Sequence, residues 1–300
     1  MINSFMDTFI ATASVNSDVD LGFVELGWFK VIILGIVQGI TELLPISSTA
    51  HLRIVPALLG WTDPGSAFSA AMQLASLAAV IAYFWKDIKQ LAGGTFRAIE
   101  SRNFDSGAFR LTLGILVGTI PLIILGALFK KALNVPGSPF RSLAVIGTAS
   151  IIMSLLLAYA EKRTHHKRTF NQLNTRDGLF VGIAQAFALI PGVSRSGSTL
   201  TTGIFLEMER ETAAKFSFLL GLPAVLLAGA VELHTLFKAG LDAHGWMVLG
   251  IGLTSASISA FLAIYGLLRY LEQHNTWIFV WYRLAMGVLL IVGSIAGFLH

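Results

Sequence analysis

The amino-acid sequence predicts an all-α polytopic membrane protein with six transmembrane helices and two inverted re-entrant helical hairpins. Of its 300 residues, 55% are hydrophobic and only 13% are charged, whereas soluble domains carry about 25% charged residues. Long apolar stretches fill most of the chain, and two of them are interrupted by proline and small hydroxyl residues. The composition indicates the membrane class, and the interruptions predict the hairpins.

Six apolar stretches are long enough to cross a hydrocarbon core of about 30 Å, which requires about 20 helical residues. They lie at roughly residues 65–85, 109–129, 140–160, 215–237, 245–270 and 277–299. Residues 1–24 contain Asp7, Asp18 and Asp20 and lack the basic start of a cleaved signal peptide. We therefore expect an N-terminal extension over 1–24 and a single membrane domain over 25–300.

Two further apolar regions, 28–60 and 178–207, are each broken near the middle. The breaks read LLPISST at 43–49 and LIPGVSRSGST at 189–199. Proline lacks the backbone N–H and ends a helix, so each region divides into two halves too short to span a bilayer. Each region is predicted to form a re-entrant hairpin that enters and leaves on the same side.

The two broken regions also resemble each other, which indicates an internal repeat. GIVQGITELLPISSTAHL at 35–52 aligns with GIAQAFALIPGVSRSGSTL at 182–200. Basic residues crowd the loops at 86–110 and 161–176, and the positive-inside rule makes these loops cytoplasmic. Lys130, Lys131 and Arg141 form a milder basic cluster on the other side. The first hairpin then enters from outside and the second from the cytoplasm, so that both breaks lie near mid-membrane.

This geometry predicts an anion site between the two breaks. The returning half-helices begin near Ser48 and Ser196, where free N–H groups and the helix dipole attract negative charge. Arg195 adds a guanidinium suited to phosphate, flanked by Ser194 and Ser196, with Gly197 allowing close backbone approach. Alternatively, Arg195 only pairs with Glu42 as a structural contact.

The first break carries groups with catalytic chemistry. Gln38 and Glu42 share one helix face, and Glu42 could hold a divalent cation, accept a proton or pair with a neighbour. His51 lies three residues after Ser48, so a hydroxyl nucleophile and a general base can meet over one turn. The alternatives without a catalytic role are helix capping by the hydroxyls and a position of His51 at the membrane interface. Cysteine chemistry is excluded because the chain contains no cysteine.

At these residues the sequence resembles a known family. QGITELLPISSTAHL and PGVSRSG are similar to the two motifs of the undecaprenyl pyrophosphate phosphatase family, the bacitracin-resistance type. The resemblance implies hydrolysis of undecaprenyl pyrophosphate to the monophosphate, which recycles the lipid carrier for peptidoglycan synthesis and confers bacitracin resistance. It also implies a divalent cation (Mg²⁺ or Ca²⁺), a homodimer in the bacterial inner membrane, and an active site open to the outer face.

The resemblance assigns roles residue by residue. Ser48 matches the proposed nucleophile, His51 the motif histidine, and Arg195 the phosphate-binding arginine. Gln38 and Glu42 match the two acidic positions, the first of which can be glutamine, and are the expected metal ligands. The remaining expected substrate-binding residues flank these positions: Ser47, Thr49, Ser194, Ser196 and Gly197.

A transporter is the competing prediction, because inverted repeats with broken helices meeting at the midplane are a transporter design. An anion carrier or a polyprenyl-phosphate flippase would share this architecture. Carriers require binding groups only, whereas Ser48 and His51 beside Glu42 form a catalytic set. The net charge of +4 does not indicate nucleic-acid binding, because basic residues in membrane proteins usually set orientation.

Overall fold

The structure, a computed structural model, describes residues 21–134 and 142–297, and these residues form eleven α-helices without a β-strand. In chain order the helices are α1 (Gly27–Leu43), α2 (Ser48–Leu59), α3 (Ser66–Tyr83), α4 (Trp85–Glu100), α5 (Gly107–Asn134), α6 (Leu143–Arg163), α7 (Thr175–Ala186), α8 (Arg195–Phe205), α9 (Arg210–Lys238), α10 (Ala243–Gln273) and α11 (Trp277–Ile295).

Among the described residues, five helices are long and apolar enough to cross a membrane: α5, α6, α9, α10 and α11. A sixth candidate is the pair of α3 and α4, whose axes differ by 75° at a short break. The prediction of an all-α polytopic membrane protein with about six spans is confirmed. The predicted span boundaries agree with the observed helix ends to within about a turn and a half.

Both predicted hairpins are present as broken helix pairs. In the first, α1 and α2 are separated by residues 44–47, and in the second, a 3₁₀ turn at Phe187–Leu189 and an irregular segment separate α7 from α8. Between the hairpins the chain contains the bent pair of α3 and α4 and the two apolar helices α5 and α6. With the bent pair counted as one span, three spans separate the hairpins, which is the odd number that the predicted inverted arrangement requires.

The loop expected at 86–110 contains a helix that the sequence analysis did not predict. α4 turns away sharply from α3 and packs on α5, where Thr95 donates a hydrogen bond to the carbonyl oxygen of Ala108 (3.2 Å). Phe96 and Ile99 remain exposed on its surface beside basic residues. Such an amphipathic helix is typical of the membrane interface.

The first arm of each hairpin packs against the other repeat. On α1, Gly35 lies against Gly252 of α10, and Gly39 lies one turn further along the same helix pair. On α7, Gly178 and Gly182 contact the backbone of α5. In both helix pairs the two helices run parallel. Since a side chain at either α7 glycine would overlap α5 backbone, small residues are required for this approach.

Two further long helices, α6 and α11, form an antiparallel pair beside both breaks. Gly147 and Gly287 face each other at the contact, and Ser154 donates a hydrogen bond to the carbonyl oxygen of Val280 (2.7 Å). This pair positions the polar residues of α11 next to the two hairpins.

The N-terminal extension expected over 1–24 lies mostly outside the described residues, as does Arg141. Within the described part, Gly22–Val24 forms a 3₁₀ turn. Phe23 is fully buried, and its ring stacks on Phe68 with 5.2 Å between the centroids. The end of the extension therefore belongs to the packed body of the protein.

Candidate active site

The two returning half-helices begin with the same unusual backbone conformation. Ser47 precedes α2 with φ of 72°, and Ser194 precedes α8 with φ of 70°. Left-handed conformations are uncommon for residues other than glycine and concentrate at functional sites. The match supports the predicted repeat and makes Ser48 and Arg195 equivalent first residues of the two helices.

Glu42 is the centre of a polar cluster formed by both breaks. Its carboxylate is buried, and the Ser48 hydroxyl donates to Oε2 at 2.6 Å. The Gln38 amide donates to the same oxygen at 3.0 Å, and Arg195 Nη2 contacts Oε1 at 3.1 Å. Three donors from both repeats therefore converge on one carboxylate, within reach of one another.

Arg195 is held across the interface between the repeats. Its guanidinium lies against Gly221 of α9, where any side chain would displace it. The neighbouring Ser196 donates a hydrogen bond to the Leu44 carbonyl oxygen at 2.9 Å, which joins the second break to the first. The structure thus brings together the expected phosphate-binding arginine and the expected nucleophile.

His51 has different partners from those that its spacing predicts. Nδ1 lies 2.8 Å from the Ser47 carbonyl oxygen, and Nε2 lies 2.5 Å from the hydroxyl of Tyr282 on α11. A carbonyl oxygen can only accept, so Nδ1 carries the proton and Nε2 accepts from the tyrosine. The Ser48 hydroxyl is directed at Glu42 instead, although His51 lies one turn away.

The expected residues at the second break serve mainly to shape the backbone. The Ser194 hydroxyl accepts a hydrogen bond from the Gly197 amide at 3.1 Å and caps α8. Thr199 shares a short hydrogen bond with Ser217 of α9. At the first break, Ser47 is buried, whereas Ser48 is half-buried and Thr49 is exposed, so the open side of the site lies at the start of α2.

Arg283 is the main residue whose role the sequence analysis missed. It is 1% exposed and donates to carbonyl oxygens of both breaks: Pro45 at 3.0 Å, Gly192 at 2.8 Å and Val193 at 3.0 Å. Gly197 leaves the space for its guanidinium. An arginine inside the apolar stretch 277–299 was the available signal, because intramembrane charges are rare and paired.

Glu42 and the neighbouring Gln38 carry the side-chain oxygens that could ligate a divalent cation at the first break. The described residues contain no cluster of three or more acidic or histidine side chains suited to a metal. Glu42 uses three of the roughly four acceptor positions of its carboxylate. Mg²⁺ commonly takes one or two carboxylates plus phosphate oxygens and water, so an ion here would need oxygens from a bound ligand besides those of Glu42 and Gln38.

Replacing Arg283 with methionine is expected to destabilise the protein without touching Glu42. Three buried carbonyl oxygens would lose their donor, which should lower the free energy of unfolding by about 3 kcal/mol or more. Thermal unfolding in detergent measures this, with exposed Arg269→Met as the matched control. An unchanged midpoint for Arg283→Met would refute its role in joining the breaks.

Comparison with known proteins shows the family to which the whole chain is similar. The family described as bacitracin resistance protein BacA matches residues 31–289. "Undecaprenyl-diphosphatase 2" of Mesorhizobium japonicum is 59% identical over 262 residues, which cover 87% of this chain and 99% of that protein. "Undecaprenyl-diphosphatase" of Trichormus variabilis is 50% identical over 292 residues (97% and 91%), and that of Synechocystis is 48% identical over 290 (96% and 89%). This chain therefore belongs to the BacA family.

Proposed function

We propose that this chain hydrolyses undecaprenyl diphosphate to undecaprenyl phosphate and inorganic phosphate, with Ser48 as the nucleophile. The protein is a membrane phosphatase that recycles the lipid carrier of peptidoglycan synthesis, the activity associated with bacitracin resistance. The observation that carries the catalytic assignment is the Ser48 hydroxyl, which donates to Glu42 Oε2 at 2.6 Å while Arg195 contacts the other carboxylate oxygen at 3.1 Å.

Binding of the diphosphate uses the positive groups at the breaks. Arg195 exchanges its contact with Glu42 for the phosphate oxygens, to which a guanidinium can donate two parallel hydrogen bonds. The N-terminus of α2 at Ser48 and that of α8 at Arg195 add backbone N–H groups and dipoles of the right sign. These groups stabilise the charge on the transferring phosphoryl group, which is the main requirement of phosphoryl transfer.

The reaction then proceeds in two displacements. Ser48 Oγ attacks the terminal phosphorus, its proton passes to Glu42, and the bond to the bridging oxygen breaks to release undecaprenyl phosphate. Water next attacks the seryl phosphate, so that inorganic phosphate leaves and the serine hydroxyl is restored. His51, held by Tyr282, is one turn from the serine and is the alternative base. Direct attack by water with the same groups is the competing route.

A divalent cation, Mg²⁺ or Ca²⁺, completes the proposed site, with Glu42 and Gln38 as its protein ligands. When bound, such an ion neutralises charge on the diphosphate oxygens. Gln38 contributes through its amide oxygen, because the amide nitrogen donates to Glu42.

The proposal also includes a location and an orientation. The basic loops at 86–110 and 161–176 lie on the cytoplasmic side, which supports entry of the first hairpin from outside and a site that opens to the outer face. Residence in the bacterial inner membrane and assembly as a homodimer are expected from the family resemblance.

Release of phosphate from undecaprenyl diphosphate tests the catalytic assignment. Ser48→Ala is expected to lower turnover roughly 10³-fold because the nucleophile is lost, and Arg195→Ala about 100-fold because a charge-stabilising donor is lost. Exposed Ser101→Ala is the control, and acid quenching should trap phosphoserine at position 48 in the wild type. Full activity of Ser48→Ala would exclude the seryl route, and lipid binding without release would favour a carrier.

Removal of divalent cations is expected to abolish phosphate release, with recovery on addition of Mg²⁺ or Ca²⁺. Glu42→Gln should require a higher metal concentration for its residual activity, because one charged ligand is missing. Titration of activity against free metal measures both effects. Undiminished turnover in EDTA would contradict the metal assignment while leaving the serine assignment intact.

Tyr282→Phe tests whether the tyrosine acts through His51. Loss of its hydroxyl removes the donor that fixes the orientation of the imidazole, and we expect turnover to fall about tenfold. The same substitution in a His51→Ala background should cost nothing further, since residues that act as a unit are not additive. Additive losses in the double-mutant cycle would show that Tyr282 has an independent role.

A further inference from the structure

An elongated cavity of about 750 Å³ opens along the side of α10, beside the second half of α1 and beyond its end. α1 ends at Leu43, whereas α10 continues to Gln273 and therefore extends beyond the first break. Ile36 and Ile40 of α1 line one part of the cavity, which runs from Leu44 past Gly266 towards Phe279 of α11. Lining residues on α10 span 255–270, about 22 Å at 1.5 Å per residue.

The surface of this cavity is suited to a hydrocarbon. Most of its lining residues are aliphatic or aromatic. The two serines among them donate to backbone carbonyls of their own helix, Ser255 to Gly252 at 2.9 Å and Ser259 to Ala256 at 3.1 Å. Their hydroxyls are thus satisfied by the protein, and a ligand here is selected by shape and apolar contact.

The cavity ends where the catalytic cluster begins. The side chain of Leu44 lines it, while the Leu44 carbonyl oxygen accepts the hydrogen bond from Ser196. Glu42 lies between Ile40 and Leu44 in sequence, with its carboxylate on the catalytic side of α1. A ligand whose polar end contacts Glu42 and Arg195 can therefore continue around the end of α1 into the cavity.

The position of the breaks limits the paths that the hydrocarbon tail of such a ligand can take. A diphosphate held near mid-membrane leaves its tail in the hydrocarbon core, where it must find an apolar path. The cavity also extends alongside α1, where Ile36 and Ser255 line it next to the close contact of Gly35 and Gly39 with α10. Past the end of α1 it continues along α10 to Gly266 and Tyr270, and this part gives the tail an apolar path away from the side at which α1 enters.

We propose that this cavity receives the first part of the polyprenyl tail and makes the enzyme select long lipid chains over short ones. The inference rests on the proposed function and adds a specificity site to it. Gly266 is the position at which it can be tested, because a side chain added there would meet open space within the cavity.

The test compares Gly266→Phe with Gly250→Phe, the same substitution on the same helix. Gly250 also faces open space and lies outside the cavity. We expect Gly266→Phe to lower kcat/KM for undecaprenyl diphosphate roughly tenfold or more, as apolar pockets discriminate by such factors. Activity towards dimethylallyl diphosphate, whose single isoprene unit does not reach Gly266, should remain unchanged. Gly266→Ala, too small to fill the cavity, should behave as wild type.

Three outcomes would overturn the proposal. If Gly266→Phe loses activity equally on undecaprenyl diphosphate and dimethylallyl diphosphate, the substitution has a general structural effect. If it keeps full activity on both, ordinary bilayer lipid occupies the cavity. A change in oligomeric mass for Gly266→Phe but not for Gly250→Phe would assign the cavity to a second copy of the chain. Phosphate release by Ser48→Ala is measured on both substrates in parallel. If Ser48→Ala releases phosphate as fast as the wild type, the proposed function fails, and this result is distinct from a failure of the cavity proposal.

Discussion

The architecture depends on holding the two broken helices together, and the buried guanidinium of Arg283 bridges both breaks. Each break exposes buried carbonyl oxygens that no helix satisfies, and a buried carbonyl left without a donor is costly. A single buried guanidinium donates to three of them, one from the first break and two from the second. Its own charge is thereby stabilised by backbone dipoles, and the two breaks are fixed at one distance.

With the breaks fixed, the charged residues of the site can balance each other. Glu42 and Arg195 come from different repeats and meet as an ion pair in a buried position. Unpaired charges at this depth would be costly, so the pair keeps the site nearly neutral before substrate arrives. In the proposed reaction an incoming diphosphate would replace one partner of this pair, and Ser48 already donates to the carboxylate that would be released.

Local sequence patterns predicted the elements other than α4 and, of the contacts between the breaks, only the pairing of Arg195 with Glu42. Pro45 and Pro191 marked both breaks, since proline cannot continue a helix whatever surrounds it. The helix α4 was missed because its basic residues resemble a loop when hydropathy alone is considered. The Ser48–Glu42 contact crosses a break whose geometry no helical spacing describes, and Tyr282 reaches His51 from 231 positions away. Catalytic roles remain predictions, although the residues named for them are adjacent.

The exchange of hairpin arms between the repeats has a consequence for biosynthesis. α1 emerges from the ribosome early, but its glycine-lined partner, α10, begins only at Ala243. Until then the buried face of α1, which carries Gln38 and Glu42, has no permanent neighbour on that side. The first hairpin therefore remains incompletely packed for most of translation. The active site can assemble only when the last two helices, α10 and α11, have been inserted.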